Sequence, residues 1–548
     1  MEKRLLDFFT KETSEKSGFI SFNKDVNENS NPVVTGLEYD SRNVKPGNLF
    51  FALPGLHTDG SLYIGDAIKR GAIAIVHESE IAEKNNDITY IKVKNARFAM
   101  SPISASFYDF PSRRLLVTGV TGTEGKSTTV YLIWQFLTLM KKKAGFISTV
   151  QHCLGGDVLD NSEHQTTPEA PVVQRLLREM ADNGCEYAVL ESSSHGLSAK
   201  TNRLGDVNFC SGVLTNITHE HLEFHGTWEQ YRDDKANLFR AVNNYTPSEN
   251  SSFAGPFGVV NADDKSSRYI MKILKHKLYT YSPEGRDGDI ILEAIESSAW
   301  GNWYIVMVPA IGKHLELRDR LPGAFNSANV MAAILTVSGL LNLPLLEIAP
   351  LANRLKPVKG RMTAIDKGQS FEVVVDYAHT PSSFQAIYPP LYRRIKKSGG
   401  RLISVFGSAG ERDTQKRGEQ GKIASLYSDI IVITDEDPRG ENPMFILEEI
   451  AKGCSEKSII GAETEKHSHM PERSRFEIKQ TEFIRDENLF LIPSRPLAIR
   501  KAFSLAQKGD LVILLGKGHE NSIIYADHVM PYDEITEVEK ALGEMLNC

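Results

Sequence analysis

From Leu115 onward, short apolar runs stop abruptly at glycine or polar residues. LLVTGV leads into TGTEGKS, YAVL into ESSSHG, GVL into TNITHEHLEFHG, and FGVV into NADD. Runs this apolar suit strands buried on both faces, as in a parallel sheet flanked by helices. From Gly360 the scheme repeats with FEVVVDYAHTP, RLISVFGSAGERD, DIIVITDEDPRG and DLVILLGKGHE. The earlier part alternates GNLFFAL, PGLHTDG and GAIAIV, which predicts a small mixed α/β domain.

The expected architecture is therefore α/β with three domains. Residues 1–112 form the small N-terminal domain. Residues 113–358 form a central mononucleotide-binding domain of the P-loop type with a mostly parallel sheet, and residues 359–548 a Rossmann-like domain. The stretch near 456–487 is polar, with ETEKHSHMPERSRFE, and reads as a surface insertion. A chain of 548 residues is too long for one core, which agrees with three domains.

Composition narrows the function. A net charge of −7 gives no basic field for nucleic acid or an anionic membrane. Any phosphorylated substrate then needs local cations and backbone amides. The five cysteines lie far apart, with no C-x-x-C pair, which suits a reducing cytosol. The opening MEKRLLDFFTKETSEK lacks the apolar core of a signal peptide, and a cytoplasmic protein is expected.

The sharpest chemistry lies in Gly119 to Ser127, GVTGTEGKS, between a strand and a helix. Val130, Ile133, Leu137 and Met140 mark that helix, and Lys141 to Lys143 before Gly145 predict its C-terminal cap. Glycines let the backbone curl so that N–H groups face phosphate oxygens at a helix N-terminus. Gly122, Thr123, Gly125 and Thr128 would line the loop. Lys126 would neutralise the transferring phosphates, and the Ser127 hydroxyl would bind Mg²⁺. Val120 stands where a strict Walker A motif has glycine. Glu191, at a strand end, and His221 and Lys235, after the next strand, are the candidate metal neighbours. Each alone is more often a solvated or hydrogen-bonded side chain; placement of Glu191 and His221 at strand ends beside the phosphate loop reverses that balance.

In order and spacing, TGTEGKST, ESSSHG, TNITHEHLEFHG, LPGAFNSAN, DYAHTP and GKGHE resemble the Mur ligases. Folylpolyglutamate synthases share the broader plan. YDSRNVKPGNLFFALPGLHTDG, SAGERD and DEDPR look specifically like the MurE branch. The resemblance implies ATP and Mg²⁺ as cofactors and an acyl-phosphate reaction. In it, the D-glutamate γ-carboxylate of UDP-N-acetylmuramoyl-L-alanyl-D-glutamate is joined to a diamino acid during peptidoglycan synthesis. Ser127, Glu191, His221 and a carbamylated Lys235 would serve the metal ions. Asn261, Asn326, Arg361, Asp376 and His379 would surround ATP. Ser41, Arg42 and His57 would meet uridine, and Thr166, Thr167, Ser193 and Arg203 the muramyl-peptide. Arg412, Asp437, Arg439, Gly516 and Glu520 would hold the incoming amino acid.

Diaminopimelate-adding enzymes typically carry D-N-P-R, whereas Asp437 here occupies the asparagine position. A carboxylate there suits the lone distal ammonium of lysine or ornithine. Asp437 and Arg439 pairing with each other is the plainer alternative. Glu124, Glu220, Thr363, Ser408-Ala409 and Ser494 also depart from the family pattern. The rivals are a related amide ligase and a nucleotide-binding regulator without chemistry. The resemblance further implies closure of domains that carry amine and carboxylate separately. No apolar run reaches the roughly 20 residues that span a bilayer, and a monomer is expected.

Overall fold

The computed structural model describes residues 1–548 except 25, 28–29, 55–58, 82–83, 162–164, 219–221, 248–252, 299, 455–482, 487 and 548. Of the expected insertion, the strand Phe483–Asp486 is among the described residues. The chain packs as two compact units. One comprises Met1–Leu292, Met307–Lys313 and Ala328–Leu351; the other comprises Glu293–Val306, His314–Ser327 and Ala352–Cys548.

The first unit contains two main sheets and a two-stranded ribbon, Lys3–Arg4 with Val33–Val34. In the smaller, Gly36–Glu38, Asn48–Phe51, Ala74–His77 and Thr89–Val93 run parallel, and Phe19–Phe22 pairs antiparallel at the edge. Helix Ala96–Phe107 covers one face through Ala99, Ile103 and Phe107, against Leu49, Phe51, Val76 and Ile91. In the larger, Leu116–Thr121 lies between Tyr187–Glu191 and Phe209–Leu214, all parallel. Ala144–Ile147 extends it on one side, and Phe257–Asn261 then Lys277–Ser282 on the other. Every residue of Tyr187–Glu191 and Phe209–Leu214 is buried, as two-sided burial requires.

The second unit has a sheet ordered Thr363–Ile365, Glu372–Asp376, Leu511–Leu515, Leu402–Phe406, Ile430–Ile433, Leu489–Leu491, Phe483–Asp486. Its five inner strands are parallel. Alternate residues divide cleanly between two cores. Val374, Leu402, Leu511 and Ile513 pack with Phe384, Ile387 and Ile450 on one face. Val373, Val375, Ile403, Val405, Val512 and Leu514 pack with Ile499, Ala502 and Leu542 on the other. This is the period-two geometry of a strand with helices on both sides. Each such aliphatic side chain contributes about 1.5–3 kcal/mol by leaving water.

The α/β architecture expected from the apolar runs is present. One local expectation fails. The helix after the phosphate loop, Lys126–Leu139, is not capped at Gly145. Lys141 takes the left-handed conformation that ends it (φ 58°), with Lys142 N donating to Leu137 O. Gly145 lies inside the buried strand Ala144–Ile147, where a Cβ would meet Met180 Sδ at 2.7 Å. Its glycine serves close packing, which sequence does not separate from a cap. Among the described residues no single helix is long and apolar enough to cross a membrane.

Candidate active site

The phosphate loop joins strand Leu116–Thr121 to helix Lys126–Leu139. Gly122 has φ 152°, and a Cβ there would lie 1.9 Å from Thr215 Oγ1. Gly125 has φ 83°, with Asn329 Oδ1 at 2.5 Å from the same hypothetical atom. The next strand's end grips the loop: Thr123 N donates to Asn216 O (2.8 Å) and Glu124 N to Asn216 Oδ1 (3.0 Å). Lys126 Nζ donates to Thr123 O at 2.7 Å, folded over the loop's concave side. Thr128 sits half-buried on the first helical turn. A left-handed backbone costs a non-glycine residue roughly 1–2 kcal/mol. Gly125→Ala is therefore expected to raise the KM for ATP about tenfold or more, read by ATP titration at saturating co-substrates.

At the mouth of the loop, buried Ser127 donates from Oγ to Glu191 Oε1 at 3.0 Å. Thr149 N donates to the other carboxylate oxygen at 2.8 Å. A hydroxyl and a carboxylate meeting beside a phosphate cradle fit Mg²⁺, which takes oxygen ligands and few protein contacts. No group of three or more His, Cys, Asp or Glu converges on a metal position among the described residues. His221, expected at a second ion, lies outside the described residues, as does His57 of the expected uridine pocket. Lys235 is buried, with Nζ 2.7 Å from Gly122 O and 4.3 Å from the Tyr231 ring centroid.

The expected muramyl-peptide residues meet around one side chain. Thr167 Oγ1 donates to Glu191 O (2.9 Å) and accepts from Ser193 N and Ser193 Oγ (both 3.0 Å). Arg203 Nη1 donates to Thr167 O (2.8 Å), and Nη2 lies 2.9 Å from Glu169. Thr166 is half-buried beside them in sequence. Asn261 ends its strand, with Oδ1 accepting from Asp263 N at 3.0 Å. In the N-terminal sheet region, Ser41 and Arg42 sit in the turn Ser41–Asn43. Arg42 is exposed and doubly bonded to Asp40, which holds that carboxyl below its ordinary range.

In the second unit, polar residues gather at the carboxyl ends of parallel strands, where such sheets bind ligands. Asp376 is buried and accepts from Met362 N and Ala378 N, each at 2.7 Å. Burial raises its pKa, and Arg361 opposes the rise. The Arg361 guanidinium lies 4.6 Å from the Tyr377 ring centroid, and the His379 ring packs at a tilt against the same ring. Asn326 begins helix Asn326–Leu341 and its side-chain amide donates to Pro322 O at 2.7 Å.

Asp437 does not pair with Arg439. Its Oδ1 accepts from buried Lys517 Nζ (2.8 Å) and from Ile524 N (3.0 Å). Lys517 also bonds Glu520 at 2.5 Å. Arg439 adopts φ 55°, and its buried Nε has no hydrogen-bond partner. Gly516 has φ 103°, and Glu436 Oε2 would lie 3.0 Å from a Cβ there. Arg412 is exposed.

Other residues at these sites are not singled out by the sequence. Asp435 and Glu436 each bury a carboxylate oxygen that lacks a partner, and burial pushes the Asp435 pKa up to about 7. Arg495, fully buried, donates to Asp435 O and Leu515 O and pairs with Glu534. In the first unit, Ser194, His225 and Asp234 form a buried hydrogen-bonded chain. Asp435 and Glu436 lie within DEDPR, Ser194 within ESSSHG and His225 within TNITHEHLEFHG, so the motifs pass through them without assigning them a part. No spacing marks Arg495 or Asp234.

A curled amide loop with a lysine and a hydroxyl–carboxylate pair, on a chain with a second cluster of polar groups at strand ends, fits an ATP-dependent ligase. Comparison with known proteins sharpens this. Models of the Mur ligase family catalytic domain, the Mur ligase middle domain and the Mur ligase glutamate ligase domain match residues 33–108, 120–337 and 360–518. The chain belongs to the Mur ligase family, and within it to the MurE type, ATP-dependent enzymes of peptidoglycan synthesis. It is 48% identical to a UDP-N-acetylmuramyl-tripeptide synthetase of Treponema denticola over 94% of each chain. It is 34% identical to a UDP-N-acetylmuramoyl-L-alanyl-D-glutamate–2,6-diaminopimelate ligase of Caldanaerobacter subterraneus, covering 95% of this chain and 97% of that one. A solved ligase of the latter name superposes with a TM-score of 0.58 at 25% identity, covering 94% and 95% of the two chains.

Proposed function

We propose that this enzyme joins L-lysine or L-ornithine, in preference to meso-diaminopimelate, to the D-glutamate γ-carboxylate of UDP-N-acetylmuramoyl-L-alanyl-D-glutamate. The carboxylate attacks the γ-phosphorus of ATP and ADP leaves. The amine then attacks the acyl carbon, phosphate leaves, and an amide remains. Two anions must meet in the first step, so positive potential matters most there. Lys126 and the loop amides supply it, while Thr167, Ser193 and Arg203 hold the muramyl-peptide. Mg²⁺, held through Ser127 and Glu191, would neutralise charge developing on the phosphate oxygens. Lys235 is read as carbamylated, its amine having added CO₂ with loss of one proton; a carbamate nitrogen keeps one N–H for Gly122 O. Release of the carbamate in ¹³CO₂-labelled enzyme, followed by ¹³C NMR, checks this reading.

The observation that carries the amino-acid preference is the pair of orphaned carboxylate oxygens, Asp435 Oδ1 and Glu436 Oε2. An ammonium satisfies them, and a second carboxylate would be repelled. Asp437 contributes to the same acidic field but is already occupied by Lys517. Diaminopimelate is the second reading, favoured by the unpartnered Arg439 Nε. Phosphate release with lysine, ornithine and diaminopimelate, each at varied concentration, decides. A higher kcat/KM for diaminopimelate would defeat the proposal.

The pocket also predicts a pH dependence. Burial raises the folded pKa of Asp435 from 3.8 to about 7. Its proton therefore stabilises the fold below pH 4, and that contribution is lost as pH rises toward 7. An ammonium prefers the ionised form, so the KM for lysine or ornithine is expected to fall as pH rises from 6 to about 8. Asp435→Asn should flatten this trend.

A further inference from the structure

Ser194 Oγ lies 3.0 Å from His225 Nε2, and His225 Nδ1 lies 2.7 Å from Asp234 Oδ2. All three residues are buried. A carboxylate can only accept, so Nδ1 carries a hydrogen and donates to Asp234, leaving Nε2 to the serine hydroxyl. Gln230 Nε2 donates to the other Asp234 oxygen at 3.1 Å. The imidazole also packs against Tyr231, with ring centroids 5.1 Å apart, and the Tyr231 hydroxyl meets Thr123 Oγ1 at 3.1 Å.

The chain of contacts thus ends on three parts of the site. Ser194 follows Ser193, Asp234 precedes Lys235, and Tyr231 reaches the phosphate loop. A serine–histidine–aspartate series also occurs in acyl-transfer enzymes, where the serine attacks. Ser194 is only 2% exposed and its hydroxyl is engaged by His225, with no oxyanion-binding amides around it among the described residues, so the geometry carries no nucleophilic role. The arrangement orders its surroundings instead. Buried polar networks of this kind fix one conformation when every member is satisfied.

We infer that His225 is a positioning residue. It locks the turn at Ser193, the helix bearing Lys235 and the phosphate loop into one frame, so that carboxylate and γ-phosphate meet in line. The inference rests on the roles proposed above for Ser193 and Lys235. Misplacement by about 1 Å can cost on the order of 10²-fold in rate with ground-state binding retained.

The test measures ADP release by the full-length enzyme with the muramyl dipeptide, lysine and Mg²⁺–ATP, normalised to the number of ATP-binding sites. His225→Gln is expected to lower kcat about 10²-fold, with both KM values within about threefold of the parent. Ser194→Ala removes a single oxygen and guards against a fold that fails. It should lower kcat about tenfold, and combining it with His225→Gln should bring no further loss, since both break one network. A purely structural role would reduce the folded fraction and leave kcat per binding site unchanged. That result, or multiplicative losses in the double variant, overturns the inference. Ser193→Ala and Lys235→Ala, measured alongside, report separately on the underlying roles. If both retain full kcat/KM, it is the reading of the site that has failed.

Discussion

Lys126→Ala is expected to reduce substrate-dependent phosphate release by about 10²–10³-fold, equivalent to ~2.7–4 kcal/mol of transition-state stabilisation. In the proposed reaction, positive charge at Lys126 offsets the meeting of a carboxylate with a triphosphate, and no second cation in the loop Gly122–Ser127 can replace it. The loss should fall mainly on kcat, because the loop amides and the helix N-terminus still bind phosphate in the ground state. Stability should change little. Lys126 is half-exposed, and its Nζ bonds one carbonyl, Thr123 O. Steady-state kinetics beside a thermal melt separate the two effects. A variant with parental turnover would remove Lys126 from the chemistry and with it the nucleotide site as built here.

The second large effect concerns stability. Arg495 and Glu534 are both fully buried and joined at 2.6 Å. Arg495→Met is expected to destabilise the second unit by about 3–5 kcal/mol, because Glu534 is left buried without its partner. Tyr532 still donates to Glu534, which softens the loss without replacing a cation. Adding Glu534→Leu to Arg495→Met should recover most of the stability, since an apolar pair of similar volume avoids the desolvation of two ions. Denaturant titration of the single and double variants reads this difference. Catalysis should not recover in parallel. Arg495 also ties Asp435 O to Leu515 O, and so holds the DEDPR loop against the GKGHE loop. The double variant should therefore show a raised KM for the amino acid despite restored stability. Equal recovery of both would assign Arg495 a purely structural part.

Patterns that act over a few residues are legible in the sequence. Apolar runs broken at Thr121, Glu191, Leu214 and Asn261 mark parallel strands, because burial on both faces leaves no room for polar alternation. Glycines at 122 and 125 mark the loop, because positive φ and close contact exclude a Cβ there. Helix ends are less legible. Lys141 performs the capping expected near Gly145, since left-handed geometry is a preference of glycine and not its monopoly.

The proposed amino-acid site shows where inference from position along the chain reaches its limit. By position, Asp437 is available to a ligand, and Arg439 is its natural partner two residues away. Instead Lys517, eighty residues on, takes Asp437, while Asp435 and Glu436 keep orphaned oxygens. Which charges neutralise each other inside a protein depends on distances of a few ångströms between strand ends.

From sequence alone came the layered α/β architecture, the phosphate loop with Lys126 and Ser127, and the family. Each depends on local backbone geometry or on motif order along the chain. Tertiary structure added the direct bond from Ser127 to Glu191, Thr167 as the link between Ser193 and Arg203, and Ser194, His225 and Asp234 as one buried network. Those contacts join residues that parallel strands bring side by side across long crossover connections. Hydrogen bonds and ion pairs act only at contact distance, so their partners exist only once the sheets have closed.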